Sequence, residues 1–243
     1  MPRKLTLCYH GLSPTWPADI SATPARFERQ IETILRLGFR PVRFSEIVGA
    51  SADEKLVAIT FDDALRSVVE YGLPVLQRLG AVATLFVPTD YIDAGRPMGW
   101  SGIEQWLSGP HEKELIPASW AEIRALAEAG WEIGSHTCSH PHLTAIDDES
   151  LARELSESRA VCEDRMSAPC TSIAYPYGDV DQRVIAAAGV AGYRTGAGIP
   201  GRADGRDPLE APRIGVFFGD GDLRFRVKVS ALEPLARRAI ARG

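Results

Sequence analysis

No pair of the four cysteines forms a CxxC motif, and Cys8, Cys138, Cys162 and Cys170 show no framework spacing. A disulfide scaffold is therefore not expected, and free thiols in a reducing cytoplasm are the default. No run approaches the roughly 18 consecutive apolar residues of a membrane span. Met1-Pro-Arg-Lys passes directly into the short apolar stretch Leu5–Tyr9, without the long apolar region and small-residue cleavage site of a secretory signal, so the expected location is cytoplasmic. Basic charge is not in excess: Lys and Arg number 27 against 32 Asp and Glu, a net charge of −5. With no basic patch carrying interleaved aromatics, neither nucleic acid nor an anionic membrane is an expected partner. Repeats and low-complexity tracts are absent. Histidine is scarce at five residues, with none after His142. What is present, 45% apolar and 24% charged residues in a chain of 243, suits one soluble globular domain over 1–243. Oligomeric state is not legible.

Strand-like and helix-like segments alternate along the chain. Leu5–Tyr9, Pro41–Phe44, Leu56–Phe61, Ala83–Val87, Trp131–Gly134, Ser172–Tyr175, Tyr193–Thr195 and Arg213–Phe217 read as strands. Thr23-Pro24 opens a helix that runs to Leu37 before Gly38. Ser67–Leu79 is helical. Ser119 caps a helix to Ala129, with Glu122 completing a capping box. Asp148–Met166 and Asp181–Ala188 read as helices, as does a solvated basic tail at Leu232–Arg242. Repeated βα units imply a parallel sheet under helices. Polar residues follow four separate strands (His10, Asp62/Asp63, His136 and Tyr175–Tyr177), which favours closure. In a β/α barrel such strand ends meet on one face, whereas an open sheet concentrates its chemistry at a single switch point. The expected fold is a distorted (β/α)7-8 barrel of the α/β class. Residues 90–117 form a long insertion, whose Trp100 and Trp106 either stack on sugar rings or pin the loop.

Asp62-Asp63 close the apolar run LVAITF. Adjacent carboxylates at a buried strand end repel each other and require a compensating cation. Two histidines, His136 and His140, follow another strand-like run. Two imidazoles and a carboxylate can hold a divalent metal with a position open for water, leaving the second carboxylate free as a base. Cys138 is read as a packed thiol in preference to a soft ligand, and Pro141 places His140 on a turn outside any helix.

Three motifs in order, Thr60-Phe61-Asp62-Asp63, His136-Thr137-Cys138-Ser139-His140 and Ala174-Tyr175-Pro176-Tyr177-Gly178, resemble those of the polysaccharide deacetylases (NodB homology, carbohydrate esterase family 4). The likeness runs from about Leu5 to Phe217. Tyr9-His10-Gly11 resembles the subgroup in which the strand bearing the catalytic histidine has moved to the N-terminus. The resemblance implies that Asp63, His136 and His140 ligate the metal, Zn²⁺ first, with Co²⁺ or Ni²⁺ as substitutes. It further implies Asp62 as general base, His10 as general acid, the Tyr177 N–H as oxyanion donor and Thr137 as an outer support. Ala174 stands where many members carry an arginine that pairs with the catalytic aspartate. Arg213 is the expected replacement, with Arg66 the weaker one.

Each residue alone has a structural reading. Asp-Asp after a strand is usually a turn or cap, His10 a core histidine, the YPYG run a rigid turn, and His142 and His111 solvent-side residues. Their joint placement at strand ends favours chemistry. The leading expectation is a metal-dependent hydrolase that deacetylates an N-acetylated sugar or polysaccharide precursor. The alternatives are hydrolysis of a small amide, cyclic imide or ureide, O-acetyl ester hydrolysis, and a non-catalytic glycan-binding barrel.

Overall fold

The computed structural model describes residues 3–51, 53–198 and 207–230; the tail helix expected over 232–242 lies outside them. The sheet is built on β5 (Leu56–Phe61), all six of whose residues are buried. Such a strand has both faces covered, which is the setting of a parallel sheet under helices. β1 (Lys4–Tyr9) pairs with β5 along its whole length. The other edge of β5 is shared: β4 (Arg40–Val42) takes Leu56–Ala58, and β6 (Thr84–Val87) takes Thr60 and Phe61. The parallel ladder continues through β7 (Glu132–Ser135), β8 (Ser172–Ala174) and β9 (Thr195–Gly198). A short side pair, β2 (Gly11–Leu12) with β3 (Ser21–Ala22), sits outside this sheet.

The barrel closes through one short stretch. β10 (Ala211–Pro212) pairs with β9, whereas β11 (Ile214–Gly215) pairs with β1. Residues 211–215 thus join the two ends of the sheet order β10-β9-β8-β7-β6-β5-β1-β11 into a nearly closed parallel barrel. Arg213 occupies the seam between the two half-strands and is 3% exposed. The expected α/β barrel is the fold observed.

Helices α1 (Pro24–Arg36), α3 (Leu73–Arg78), α4 (Trp120–Glu128), α5 (Asp148–Met166) and α6 (Gln182–Ala191) cover the strands. The Thr23 cap and the Ser119/Glu122 capping box are both formed. Several boundaries differ from the expectation. Phe44 opens a short helix, α2 (Phe44–Gly49), instead of ending a strand; its first N–H donates to Thr84 Oγ1 (2.9 Å), and Glu46 accepts from the Arg43 N–H (2.8 Å). The helix after Ser67 begins with a wide turn, Val68–Gly72. Pro74 lacks an N–H and in a regular α-helix would crowd the carbonyl of Glu70, so widening relieves the clash. α6 continues through Gly189 and stops at Gly192, whose φ of 97° provides the left-handed cap. β9 begins at Thr195, because Tyr193 is committed to the core with its hydroxyl on the Leu155 carbonyl (3.0 Å). A helix not expected from sequence, α7 (Asp222–Lys228), follows the seam.

The insertion 90–117 is ordered, with two 3₁₀ turns, Glu104–Trp106 and Glu112–Leu115. Met98, Ile103 and Leu115 pack on Trp16, Leu65 and Tyr91 as a separate apolar cluster. Its return end is tied directly behind the aspartate pair, Arg66 N–H to Ile116 O (3.0 Å) and Ala118 N–H to Ala64 O (2.8 Å). His111, expected to face solvent, is half-buried with its ring edge on Trp106 at 5.6 Å. No helix among the described residues is long and apolar enough to cross a membrane.

Gly196 in β9 lets the Tyr175 hydroxyl reach the Leu209 carbonyl at 2.8 Å. A Cβ on Gly196 would lie 2.2 Å from that carbonyl oxygen and 2.6 Å from the hydroxyl. G196A is expected to cost about 1–3 kcal/mol through overpacking. Urea unfolding checks it: an unchanged midpoint would refute the close-approach argument.

Candidate active site

Asp62 still belongs to the ladder, its N–H on the Tyr9 carbonyl (3.0 Å). Asp63 and Ala64 then turn over sharply, with φ of 70° and 52°. The turn sends two adjacent carboxylates, 4% and 3% exposed, to different partners. Asp62 accepts a two-pronged contact from Arg213, Nη1 to Oδ1 at 2.6 Å and Nη2 to Oδ2 at 2.8 Å, and Nη1 also reaches Thr60 Oγ1 at 3.0 Å. Cys8 Sγ donates weakly to Oδ2 at 3.5 Å. Burial alone would raise the Asp62 pKa; Arg213, His136 and His10 overrule it and hold the carboxyl well below its ordinary range. Burial pushes the Cys8 thiol far up, so it stays a protonated donor.

Asp63 faces both histidines, its Oδ1 lying 3.4 Å from His136 Nε2 and 3.6 Å from His140 Nε2. His136 extends β7, with its N–H on the Val87 carbonyl. Its Nδ1 is 2.8 Å from Ala174 O. A carbonyl can only accept, so Nδ1 carries a proton and Nε2 is the nitrogen turned inward to Asp63. His140 stands on a turn at φ 63°, held by its N–H to Thr137 Oγ1 at 3.2 Å. Burial, reinforced by His136, lowers the His140 pKa to about 3, which leaves a neutral imidazole. The Asp63 carboxyl lies below its usual range: burial raises it, and the contact with His136 outweighs that.

The turn carrying both histidines is strapped by Glu154 of α5. Its Oε2 accepts the N–H groups of Cys138 (2.8 Å) and Ser139 (2.9 Å), and its Oε1 the Ser139 hydroxyl (2.6 Å). The Cys138 thiol points to the Glu154 carbonyl, 3.6 Å away. It is therefore turned from the donor cluster, in keeping with a packed thiol.

Whether Asp63, His136 and His140 suit a metal can be judged from their geometry. Their donor atoms lie within 4.8 Å of one another, and Asp63 Oδ1 is buried without a hydrogen-bond partner. A tetrahedral ion with bonds of about 2.0–2.1 Å separates its ligands by roughly 3.3 Å, close to the two observed separations. The donor set fits a divalent ion.

A cleft of about 360 Å³ is lined by His10, Asp62, Asp63, His136, His140, Tyr177 and Arg213 together. All seven residues singled out in the sequence thus meet in one place. Tyr177 takes φ 58° in the turn Pro176–Gly178, with its ring stacked on His142 at 3.9 Å. Burial and the charge of Asp63 push its phenol up to about 12. His142 is half-exposed and pairs with Asp179 at 3.3 Å, outside the donor cluster. Arg66 is far from this task, bound to Glu122 at 3.2 Å on the surface. Trp100 lines the cleft with its indole stacked on the His140 ring, while Trp106 packs on Trp16. Sequence reasoning missed Glu154 and the contact of Cys8 with Asp62. Glu154 had a visible signal, an acid on the Leu151/Leu155 face of an amphipathic helix; Cys8 had none.

A parallel α/β barrel whose strand ends gather an aspartate pair and two histidines defines a deacetylase-type barrel. The chain belongs to the polysaccharide deacetylase family, whose model matches residues 49–196. It is 27% identical over 154 residues to YxkH of Bacillus subtilis (strain 168), named as a candidate polysaccharide deacetylase, covering 63% of this chain and 48% of that protein. A 60-residue stretch is 38% identical to chitin deacetylase 1 of Cryptococcus neoformans, 25% of this chain and 13% of the other. The chain thus spans about half or less of these curated relatives. In fold it resembles the Streptococcus pyogenes deacetylase PplD, solved with acetate (TM-score 0.77, 19% identity, 93% of this chain and 97% of that one). It also resembles IcaB from Ammonifex degensii (TM-score 0.72, 22% identity, 94% and 96%).

Removing one partner of the buried Arg213–Asp62 pair strands a charge. R213A is expected to lower unfolding free energy by about 3–5 kcal/mol, and the double change R213M/D62L to recover most of it. Chemical denaturation of R213M, D62L and R213M/D62L, beside R213A, checks this; additive losses in the double variant would mean the two residues are not energetically coupled.

Proposed function

We propose that this protein is a metal-dependent carbohydrate deacetylase, a single domain that hydrolyses the N-acetyl group of a sugar or polysaccharide precursor. The observation that carries the reading is the division of labour at Asp62-Asp63, one carboxylate turned to two imidazoles and the other kept off them by Arg213. A divalent ion held by Asp63, His136 and His140, Zn²⁺ before Co²⁺ or Ni²⁺, would polarise the acyl oxygen and make a neighbouring water more acidic.

The chain's own residues then do the following. Arg213, fixed by Thr60, keeps Asp62 ionised and oriented, so that a carboxylate oxygen is ready to accept the proton of the attacking water. The Tyr177 backbone N–H, set by its left-handed turn, donates to the acyl oxygen as negative charge builds there; one such donor is worth about 3 kcal/mol of barrier. His10, beside Asp62 in the cleft, gives a proton to the departing sugar nitrogen, since an amine anion cannot leave. Acetate and a free amino sugar are the products. His10 directly follows the first strand, and this supports the arrangement in which the acid has moved to the N-terminus. Arg213 from the seam takes the place of the arginine missing at Ala174.

Acetate release from N-acetylated oligosaccharides, O-acetylated sugars and cyclic imides tests the reading. Chelation should abolish release from the N-acetylated class and Zn²⁺ should restore it. D62N should lower turnover about 10²–10⁴-fold; unchanged release would refute its role as base. R213A with wild-type turnover and intact metal binding would remove Arg213 from the mechanism.

A further inference from the structure

The ring of His140 lacks the anchor that the ring of His136 has. An imidazole that binds a metal through one nitrogen is ordinarily oriented by a hydrogen bond from the other, and loss of that partner weakens metal binding about 10–100-fold. His136 has such a bond, Nδ1 to the Ala174 carbonyl at 2.8 Å. His140 Nδ1 is buried with no hydrogen-bond partner, on a backbone held at φ 63°. The ring plane is set by its neighbours. The Trp100 indole lies flat on it, centroids 4.0 Å apart and planes inclined by 17°. Tyr177 and His136 meet it at 72° and 73°, at 4.7 and 4.9 Å. Trp100 is itself braced edge-on by Tyr91 at 5.0 Å.

We propose that Trp100 is the positioning residue of His140. The insertion substitutes a ring-on-ring contact for the missing outer hydrogen bond, so the affinity of the Asp63–His136–His140 site for a divalent ion depends on residues 90–117 being docked. A flat stack fixes the imidazole plane while leaving the in-plane lone pair of Nε2 directed at the site, 3.6 Å from Asp63 Oδ1. Trp106 supplies the contrast. It belongs to the same lobe but meets Trp16 at 5.9 Å and His111 at 5.6 Å, and neither is a donor of the site. The inference rests on the metal-site reading above.

The test measures binding, independently of turnover. Metal-free protein is titrated with Zn²⁺ against a chromophoric chelator, and with Co²⁺ while indole fluorescence and the cobalt absorption bands are recorded. W100A should weaken Zn²⁺ binding about 10–100-fold. W100L, which keeps apolar bulk without a flat face, should weaken it similarly, W100F should retain most of the affinity, and W106A should match wild type. Co²⁺ should quench indole fluorescence in wild type and quench it far less in W100F. Wild-type affinity in W100A or W100L overturns the proposal and leaves the metal site standing. A loss in W106A equal to that in W100A, with the Co²⁺ quench of indole fluorescence still as in wild type, also overturns it, because the stack would then be in place without sustaining the affinity. A wild-type protein that binds no Zn²⁺ overturns both readings.

Discussion

Two adjacent carboxylates buried at the end of one strand have to be neutralised separately, and the rest of the site follows from that need. Side by side and unpaired, they would repel by on the order of 4 kcal/mol even at an effective dielectric of 20, besides the cost of leaving water. The barrel separates them. A left-handed turn at Asp63 directs one side chain toward the two histidines. The other remains beneath Arg213, whose planar fork matches both of its oxygens. Arg213 can do this because it lies in the seam, where β10 and β11 hand the chain from one end of the sheet to the other. Closure of the fold and neutralisation of Asp62 are therefore accomplished by the same five-residue stretch, 211–215.

Strain collects around the same point. Asp63, Ala64, Thr137, His140 and Tyr177 all have positive φ without being glycine. Such residues typically cost about 1–3 kcal/mol each and persist where their surroundings over-determine them. Here the surroundings are specific: Glu154 bonds across the histidine turn, Thr137 caps His140, and the insertion is tied to Ala64 and Arg66. Turning the chain sharply at each strand end brings the donors inward while the strands themselves stay regular.

Much of the barrel could be read from the chain because buried parallel strands and capped helices leave local signals. LVAITF, Thr23-Pro24 and Ser119/Glu122 are examples. The aspartate pair and the two histidines were legible because polar residues at strand ends have few structural reasons to coincide. Other features depend on tertiary context. α2 was missed because its cap residue, Arg43, is not a typical one and its first N–H is satisfied by Thr84 on another strand. The seam looks like one strand in sequence, since nothing local says that 211–212 and 214–215 pair with different neighbours. Glu154 shows in the sequence only as an acid on the apolar face of its helix, and nothing local says that it bonds to the histidine turn. Trp100 suits either a sugar platform or a loop pin in sequence, and its place against His140 cannot be read from spacing.

In the proposed function the paired carboxylates are divided between Arg213 and a divalent ion. Crystals grown with Zn²⁺ and measured on both sides of the zinc absorption edge test it most directly. One anomalous peak should lie within bonding distance of Asp63, His136 and His140, with Arg213 still on both oxygens of Asp62. A peak on Asp62, an ion bridging the two aspartates with Arg213 displaced, or no peak in the cleft would contradict it.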